Sequence, residues 1–141
     1  MFLLDINVWL ALAFGTHAHH ASAKRWFDGL RVGERCFFCR LTQQGFLRLA
    51  NNSHAFPQFA VSQDRAWLMY DALLGDSCVD FAPEPLEVEK HWRPLTQLPS
   101  HSPKVWADAY LAAFAIASDW EFVTFDKGFH QYAKLRLTTL S

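Results

Sequence analysis

Residues 1–14 read MFLLDINVWLALAF, so one acidic side chain, Asp5, stands between two apolar runs. The four residues before it are typical of a buried parallel strand. The stretch from Asn7 to Phe14 is typical of a helix, which Gly15 ends. An isolated carboxylate in apolar surroundings costs several kcal/mol. Asp5 is therefore neutral, paired, or placed to meet a positive charge.

Strand and helix patterns alternate along the rest of the chain. Further strands are predicted at Arg35–Cys39, Cys78–Phe81, Glu121–Phe125 and Leu135–Leu140. Further helices are predicted at Thr16–Leu30 with Ala21 facing inward, at Leu41–Ala50, after a cap at Ser62, at Pro85–Gln97 and at Val105–Ser118. This alternation predicts an α/β fold with a largely parallel sheet and helices on both faces. No linker divides the 141 residues, so we expect a single domain, residues 1–141.

Composition excludes several classes of protein. A hydrophobic fraction of 51% with 13 Phe and 6 Trp argues against disorder. No apolar run reaches the roughly 18 residues of a membrane span, and no cationic segment precedes the first apolar run, so neither a membrane span nor a signal peptide is expected. Three cysteines, an odd number, favour the reducing cytoplasm. Cys36 and Cys39 would point to opposite faces of a strand and are expected to be core residues.

Charge alone does not mark the chain as a nucleic-acid binder, because its formal net charge is −1. The charges are unevenly distributed, however. Six basic residues between Lys24 and Arg48 are accompanied by two acids, and residues 127–141 add three basic residues and no acid. Such local basic zones could bind phosphates, although a solvated mixed surface explains them equally well.

Three aspartates are each the single acid of an apolar segment. Asp5 and Asp126 follow predicted strands, and Asp108 lies near the start of a predicted helix. Ligands of α/β sheets bind outside the carboxyl ends of the strands, so the three carboxylates can converge there. Taken singly, each could instead cap a helix or complement its dipole.

Converging carboxylates repel each other and must be neutralised by protons or by a cation. Oxygen ligands favour Mg²⁺ or Mn²⁺ over zinc. Asn7 and Thr124 flank the predicted site and could orient a water or a carboxylate that binds the ion.

Five segments occur in order along the chain: MFLLDINVWLALAF, HAHHASAKRWF, CRLTQQGFLRLANN, WADAYLAAFA and FVTFDKGF. Together they resemble the PIN domain and, more closely, the VapC-type toxins of bacterial toxin–antitoxin pairs, over nearly the whole chain. The resemblance implies a three-layer α/β/α PIN-like fold with a mainly parallel central sheet of four to five strands. It implies a metal-dependent endoribonuclease that hydrolyses RNA phosphodiester bonds with Mg²⁺ or Mn²⁺. It also implies a homodimer and a cognate antitoxin that lies across the active-site groove.

The resemblance also assigns roles to individual residues. The first, third and fourth acids of the family fall on Asp5, Asp108 and Asp126, which would hold the metal ion and support catalysis. The second falls on Gln43, where the family usually has Glu. A glutamine keeps a carbonyl oxygen but loses the charge, so the affinity for a cation should fall. Gln43 would then hydrogen-bond a catalytic water or bind the ion through its oxygen.

Other polar and aromatic residues were weighed against this site. Arg48, Lys104 and Lys127 are candidates for positioning the RNA backbone. The cluster His17, His19 and His20 has no nearby acid or cysteine to complete a zinc site. The helical spacing of the tryptophans favours core or dimer contacts over base stacking.

Two alternatives remain open. The chain could be a non-catalytic or weakly active RNA- or protein-binding module on the same fold, which Gln43 would explain. It could also transfer phosphate through an aspartyl intermediate, as haloacid-dehalogenase-like phosphatases do. Those proteins need a second Asp two residues after the first, where this chain has Asn7.

Overall fold

The computed structural model describes residues 1–58 and 60–141, and this part of the chain contains five strands and six α-helices. The strands are β1 (Phe2–Leu4), β2 (Cys36–Phe38), β3 (Val79–Phe81), β4 (Glu121–Thr124) and β5 (Leu137–Thr139). The helices are α1 (Ile6–Ala13), α2 (His20–Asp28), α3 (Arg40–Ala50), α4 (Gln63–Leu74), α5 (Val88–Thr96) and α6 (Val105–Ser118). A 3₁₀ helix, Lys127–Gln131, lies between β4 and β5. None of these helices combines the length and apolar character needed to cross a bilayer.

The strands form one sheet in the order β3-β2-β1-β4-β5, and every pairing in it is parallel. Strand β1 is central, with Phe2 opposite Cys36 of β2 on one side and Glu121 of β4 on the other. The predicted α/β fold with a mainly parallel sheet of four to five strands is therefore confirmed. Because the strands are parallel, the residues that follow β1, β2 and β4 all lie at one edge of the sheet.

Helices cover both faces of the sheet and produce two cores. Successive side chains of a strand point to opposite faces of the sheet, so neighbouring residues of β1 lie in different cores. Leu4 packs in the first core, under α1, α3 and α4, and Leu3 packs in the second core, under α5 and α6. In the first core the rings of Trp9 and Phe38 stack with centroids 3.8 Å apart. The cysteines separate in the same way, since Cys36 lies in the first core and Cys39 in the second.

Helix α6 packs closely because its buried face is made mostly of alanine. Ala109, Ala112, Ala113 and Ala115 are fully buried, which lets the helix backbone approach its neighbours. The helix ends at Asp119, whose φ of 54° is left-handed, a conformation that Asp tolerates better than most residues. The chain then turns directly into β4, so α6 and β4 together bring residues 108 and 126 towards the same edge.

Two helix boundaries differ from the sequence prediction. Turns around His17 occupy the residues after Gly15, and α2 begins at His20 rather than at Thr16. Ala21, predicted to face inward, is exposed, whereas Ala23 is buried because it lies three and four residues before Trp26 and Phe27 and shares the face that they pack against the core. Helix α5 likewise begins at Val88 rather than at Pro85.

Candidate active site

Asp5 ends β1 and caps α1, and its carboxylate is buried with 8% of the residue exposed. Its Oδ1 accepts a hydrogen bond of 2.7 Å from the backbone N–H of Ile6. Its Oδ2 accepts two more, 2.9 Å from Asn7 Nδ2 and 2.6 Å from Thr124 Oγ1. Asp5 therefore does cap helix α1, as the alternative interpretation proposed, but a helix cap needs only one of these hydrogen bonds. The other two fix the carboxylate at the carboxyl edge of the sheet.

Burial raises the pKa of Asp5 from 3.8 to about 6, although its hydrogen bonds to Thr124 and Ile6 act in the opposite direction. The negative charges of Asp108 and Asp126 raise that pKa further. The three carboxylates named by the sequence thus act on one another electrostatically. This supports their predicted convergence at one edge of the sheet.

A carboxyl group whose pKa is raised on folding makes the folded state less stable once it ionises. At pH 7.5 Asp5 is ionised in both states and the full penalty applies. As the pH falls through about 6 the folded protein binds a proton first, and the penalty is relieved. We therefore expect the free energy of unfolding of the wild type to rise by about 2 kcal/mol relative to that of Asp5→Asn as the pH falls from 7.5 to 4.5. Urea unfolding of both metal-free proteins measures this, and a difference that does not vary with pH would contradict it.

Thr124 and Asn7 connect the two strands that carry Asp5 and Asp126. The fully buried Thr124 Oγ1 donates to Asp5 and accepts from Asn7 Nδ2 at 3.1 Å and from the N–H of Asp126 at 2.9 Å. Asn7 Oδ1 accepts from the N–H of Phe125 at 3.2 Å. Both side chains therefore hydrogen-bond to Asp5 or to the backbone beside Asp126, and their role in orienting ligands of a metal ion stays a prediction.

Asp126 follows β4 and caps the 3₁₀ helix through Oδ1, which accepts from the N–H of Gly128 at 2.7 Å. Its Oδ2 lies 3.2 Å from Lys104 Nζ. The Gly128 N–H and the Lys104 ammonium lower the pKa of Asp126. Asp108, in the first turn of α6, lies 3.8 Å from the same ammonium through its Oδ2. Burial raises the pKa of Asp108, and Lys104 partly offsets that shift.

Gln43 lies in the first turns of α3, directly after β2. Its Oε1 accepts a hydrogen bond from the guanidinium of Arg40, whose charge also lies 4.6 Å from the centre of the Phe81 ring. A hydrogen bond between Gln43 and Tyr70 lowers the pKa of that tyrosine, although burial raises it overall. The Gln43 oxygen that we predicted to bind the ion or a catalytic water thus already accepts a hydrogen bond within the protein. Sequence reasoning missed Arg40, although its i, i+3 spacing to Gln43 is a signal for such a contact.

The three basic residues that were predicted to position RNA lie at different distances from the carboxylates. Lys104 lies among the carboxylates, whereas Arg48 is exposed and lines a cleft of about 460 Å³ between α3 and α4. Lys127 is exposed at the start of the 3₁₀ helix, directly after Asp126.

Two residues near the site were not predicted. The His19 ring stacks on Phe125, centroids 4.5 Å apart, which brings part of the histidine cluster to the end of β4. Tyr132 is buried, and its hydroxyl has no hydrogen-bond partner among the described residues. Burial, with the charges of Asp108 and Asp126, raises the pKa of Tyr132 to about 12. No sequence pattern indicates that His19 or Tyr132 lies near the site.

The donor atoms of the site suit a hard divalent cation. They are carboxylate oxygens, and three carboxylates against the single Lys104 ammonium leave a net charge of about −2. Across residues 1–58 and 60–141, no three acidic, histidine or cysteine side chains stand close enough together to hold a metal ion as they are arranged. Coordination of one ion by three of these side chains would therefore require side-chain rotation; in the arrangement described, the Lys104 ammonium lies beside Asp126 and Asp108.

Comparisons with known proteins agree with this architecture. The family profile described as "PIN domain" matches residues 2–135. Ribonuclease VapC41 of Mycobacterium tuberculosis is 40% identical over 145 residues, covering 100% of this chain and 99% of that protein. Ribonuclease VapC44 of the same organism is 30% identical over 138 residues, covering 89% of this chain and 85% of that protein.

Solved structures of low identity share the fold. VapBC2 from Rickettsia felis, crystallised bound to a DNA fragment from its promoter, has a TM-score of 0.73 at 14% identity and covers 99% of this chain and 98% of that chain. Mycobacterium tuberculosis VapC20, described as a sarcin-ricin loop cleaving toxin, has a TM-score of 0.66 at 16% identity, with 93% and 94% covered.

Proposed function

Because this chain belongs to the PIN-domain family and, within it, to the VapC proteins, we propose that it is a metal-dependent endoribonuclease and the toxin of a toxin–antitoxin pair. The observation that carries the metal-dependent part is the carboxylate site. The charges of Asp108 and Asp126 act on Asp5, and the three ionised carboxylates together with the Lys104 ammonium that contacts two of them carry a net charge of about −2. An RNA phosphate, itself negative, would be repelled from this edge unless a divalent cation compensated that charge.

The residues of the proposed site have two different roles, binding the metal ion and orienting its ligands. Asp5, Asp108 and Asp126 would hold Mg²⁺ or Mn²⁺, and the bound ion would neutralise charge on the scissile phosphate and make a water more acidic. Thr124 and Asn7 hold Asp5 in one orientation, because three donor groups reach its two oxygens.

Basic side chains around these acids would position the RNA. Lys127, exposed beside Asp126, is placed to contact the phosphate backbone, and Lys104 can do so once it leaves the carboxylates. Arg48, farther along α3, would contact a more distant part of the strand.

RNA cleavage by the purified chain, free of antitoxin, tests the proposal. We expect cleavage of a structured RNA with Mg²⁺ or Mn²⁺, none after chelation with EDTA, and recovery when the ion is returned. Denaturing gel electrophoresis of a 5′-labelled RNA measures it and identifies endonucleolytic products. Absence of cleavage with either ion would contradict the proposal.

The second candidate function is a non-catalytic RNA- or protein-binding module, which the bond between Gln43 Oε1 and Arg40 favours. The variant Gln43→Glu separates the two functions. If the chain is an enzyme, the wild type cleaves RNA and Gln43→Glu changes the rate by less than about tenfold, because Arg40 can pair with the new carboxylate. If it is a binding module, the wild type is inactive and Gln43→Glu creates activity. Gln44→Glu, at the exposed neighbouring position, controls for added charge.

The proposal includes protein partners and a location. Membership of the VapC proteins supports a cognate antitoxin and a homodimer. Large apolar side chains that are exposed in the single chain offer contacts for them, including Trp67, Leu68 and Trp106, which are 50%, 65% and 56% exposed. The free thiols of Cys36, Cys39 and Cys78 are consistent with the cytoplasm.

A further inference from the structure

The Lys104 ammonium lies between two of the site's carboxylates. Its Nζ is 3.2 Å from Asp126 Oδ2 and 3.8 Å from Asp108 Oδ2. Asp108 is four residues farther along the chain, so it lies one helical turn from Lys104, while Asp126 comes from the end of β4. The Lys104 side chain is 73% exposed. The ammonium therefore joins two elements of the site while most of its stem remains in water.

The oxygen that Lys104 binds is also the oxygen a metal ion would need. Asp126 Oδ1 already accepts the N–H of Gly128, so Oδ2 is the oxygen of Asp126 with more capacity for a cation. The Oδ2 atom of Asp108 faces the same ammonium. A divalent ion and an ammonium compete for these oxygens, because two positive charges a few ångströms apart repel each other.

We propose that Lys104 is an exchangeable counter-ion of the carboxylate site, an inference that rests on the proposed function. In the metal-free protein its ammonium neutralises Asp126 and Asp108, and a divalent ion displaces it. Exchange is favourable because an exposed lysine–carboxylate pair contributes little to stability. A divalent ion carries two positive charges and therefore neutralises more of the negative charge of the three carboxylates than one ammonium does. The flexible four-carbon stem lets the displaced ammonium move outward, where it meets an incoming phosphate.

Binding of Mn²⁺ to the metal-free protein, measured by isothermal titration calorimetry, tests the exchange. Lys104→Met removes the competitor and should bind Mn²⁺ about two- to fivefold more tightly than the wild type. Lys104→Arg keeps the charge and binds carboxylates with a planar fork, so it should bind Mn²⁺ more weakly than the wild type. Lys134→Met is the matched control. Lys134 is an exposed lysine that lines a surface cleft with Ile116, about two turns along α6 from Asp108, and its loss should leave the affinity unchanged.

Two calorimetric results would overturn the exchange. One is Mn²⁺ binding by Lys104→Met that is equal to or weaker than that of the wild type. The other is an increase that Lys134→Met reproduces in full, because that would reflect net charge alone. Failure of every variant, the wild type included, to bind Mn²⁺ would instead overturn the proposed metal-dependent function. A direct observation completes the test: the Lys104 ¹³Cε NMR resonance should shift on titration with diamagnetic Mg²⁺, and a resonance unmoved at saturation would overturn the exchange.

Discussion

Asp108→Asn is expected to lower the rate of metal-dependent RNA cleavage by at least about a hundredfold, since even residues that merely support metal ligands often contribute ten- to a hundredfold. The substitution keeps the volume of the side chain and removes one of three negative charges. The Asp108 side chain is 23% exposed, and its contact within the site is the 3.8 Å approach to Lys104. Folding should therefore be affected little, by about 0.5 kcal/mol or less. Initial cleavage rates with Mn²⁺ and thermal unfolding measure the two effects.

The control for this variant is Asp64→Asn. Asp64 also lies in the first turn of a helix, α4, but is exposed and hydrogen-bonded to Ser62. If Asp108 merely complements the dipole of α6, both variants should retain full activity and lose similar stability. Equal activity in the two variants would therefore remove Asp108 from the proposed site.

Gly45→Val is expected to destabilise the protein by about 2–3 kcal/mol, because it overfills a tight helix contact. A Cβ on Gly45 would lie 2.1 Å from Ile6 Cδ1 and 2.8 Å from Ile6 Cγ1. Either the Ile6 side chain must rotate or helices α1 and α3 must separate. Ile6 stands between Asp5 and Asn7, so the adjustment should also lower the cleavage rate. Chemical denaturation measures the loss of stability.

Gly15→Val provides the comparison, since a Cβ there meets nothing within 4 Å. The two substitutions add the same atoms, so a difference between them isolates the crowding against Ile6. Adding Ile6→Ala to Gly45→Val should recover part of the lost stability if the contact is responsible. A double variant no more stable than Gly45→Val alone would show that another contact carries the cost.

The elements of the fold could be predicted because apolar periodicity determines them. The run before Asp5 and the run before Asp126 are buried strands, and both carboxylates follow from the rule that sites lie at the carboxyl ends of parallel strands. Asp108 was found because it is the one acid of a helix that is otherwise apolar. Ala21 of α2 was wrongly placed on the inward face, because the buried face follows the three- and four-residue spacing that joins Ala23 to Trp26 and Phe27.

The contacts between side chains of the site were not predictable in the same way. The pair of Lys104 and Asp108 has a local signal, but the approach of Lys104 to Asp126 depends on how α6 meets β4. The bond from Arg40 to Gln43 has only the i, i+3 spacing as a signal, and Arg40 stands equally well placed, four residues away, for Gln44. Stacking of His19 on Phe125 joins residues that are distant in sequence and share no pattern.

The position of β1 at the centre of the sheet has a consequence for synthesis of the chain. Its first residues pair with β4, which begins at Glu121, and Asp126 follows within the last sixteen residues of the 141. A polypeptide on the ribosome that has not yet reached β4 can pair β1 with β2, but it has neither the second partner strand of β1 nor Asp126. If the proposed activity is correct, the capacity to cut RNA arises only after β4 and Asp126 have been synthesised, so a product terminated before β4 should not cleave RNA.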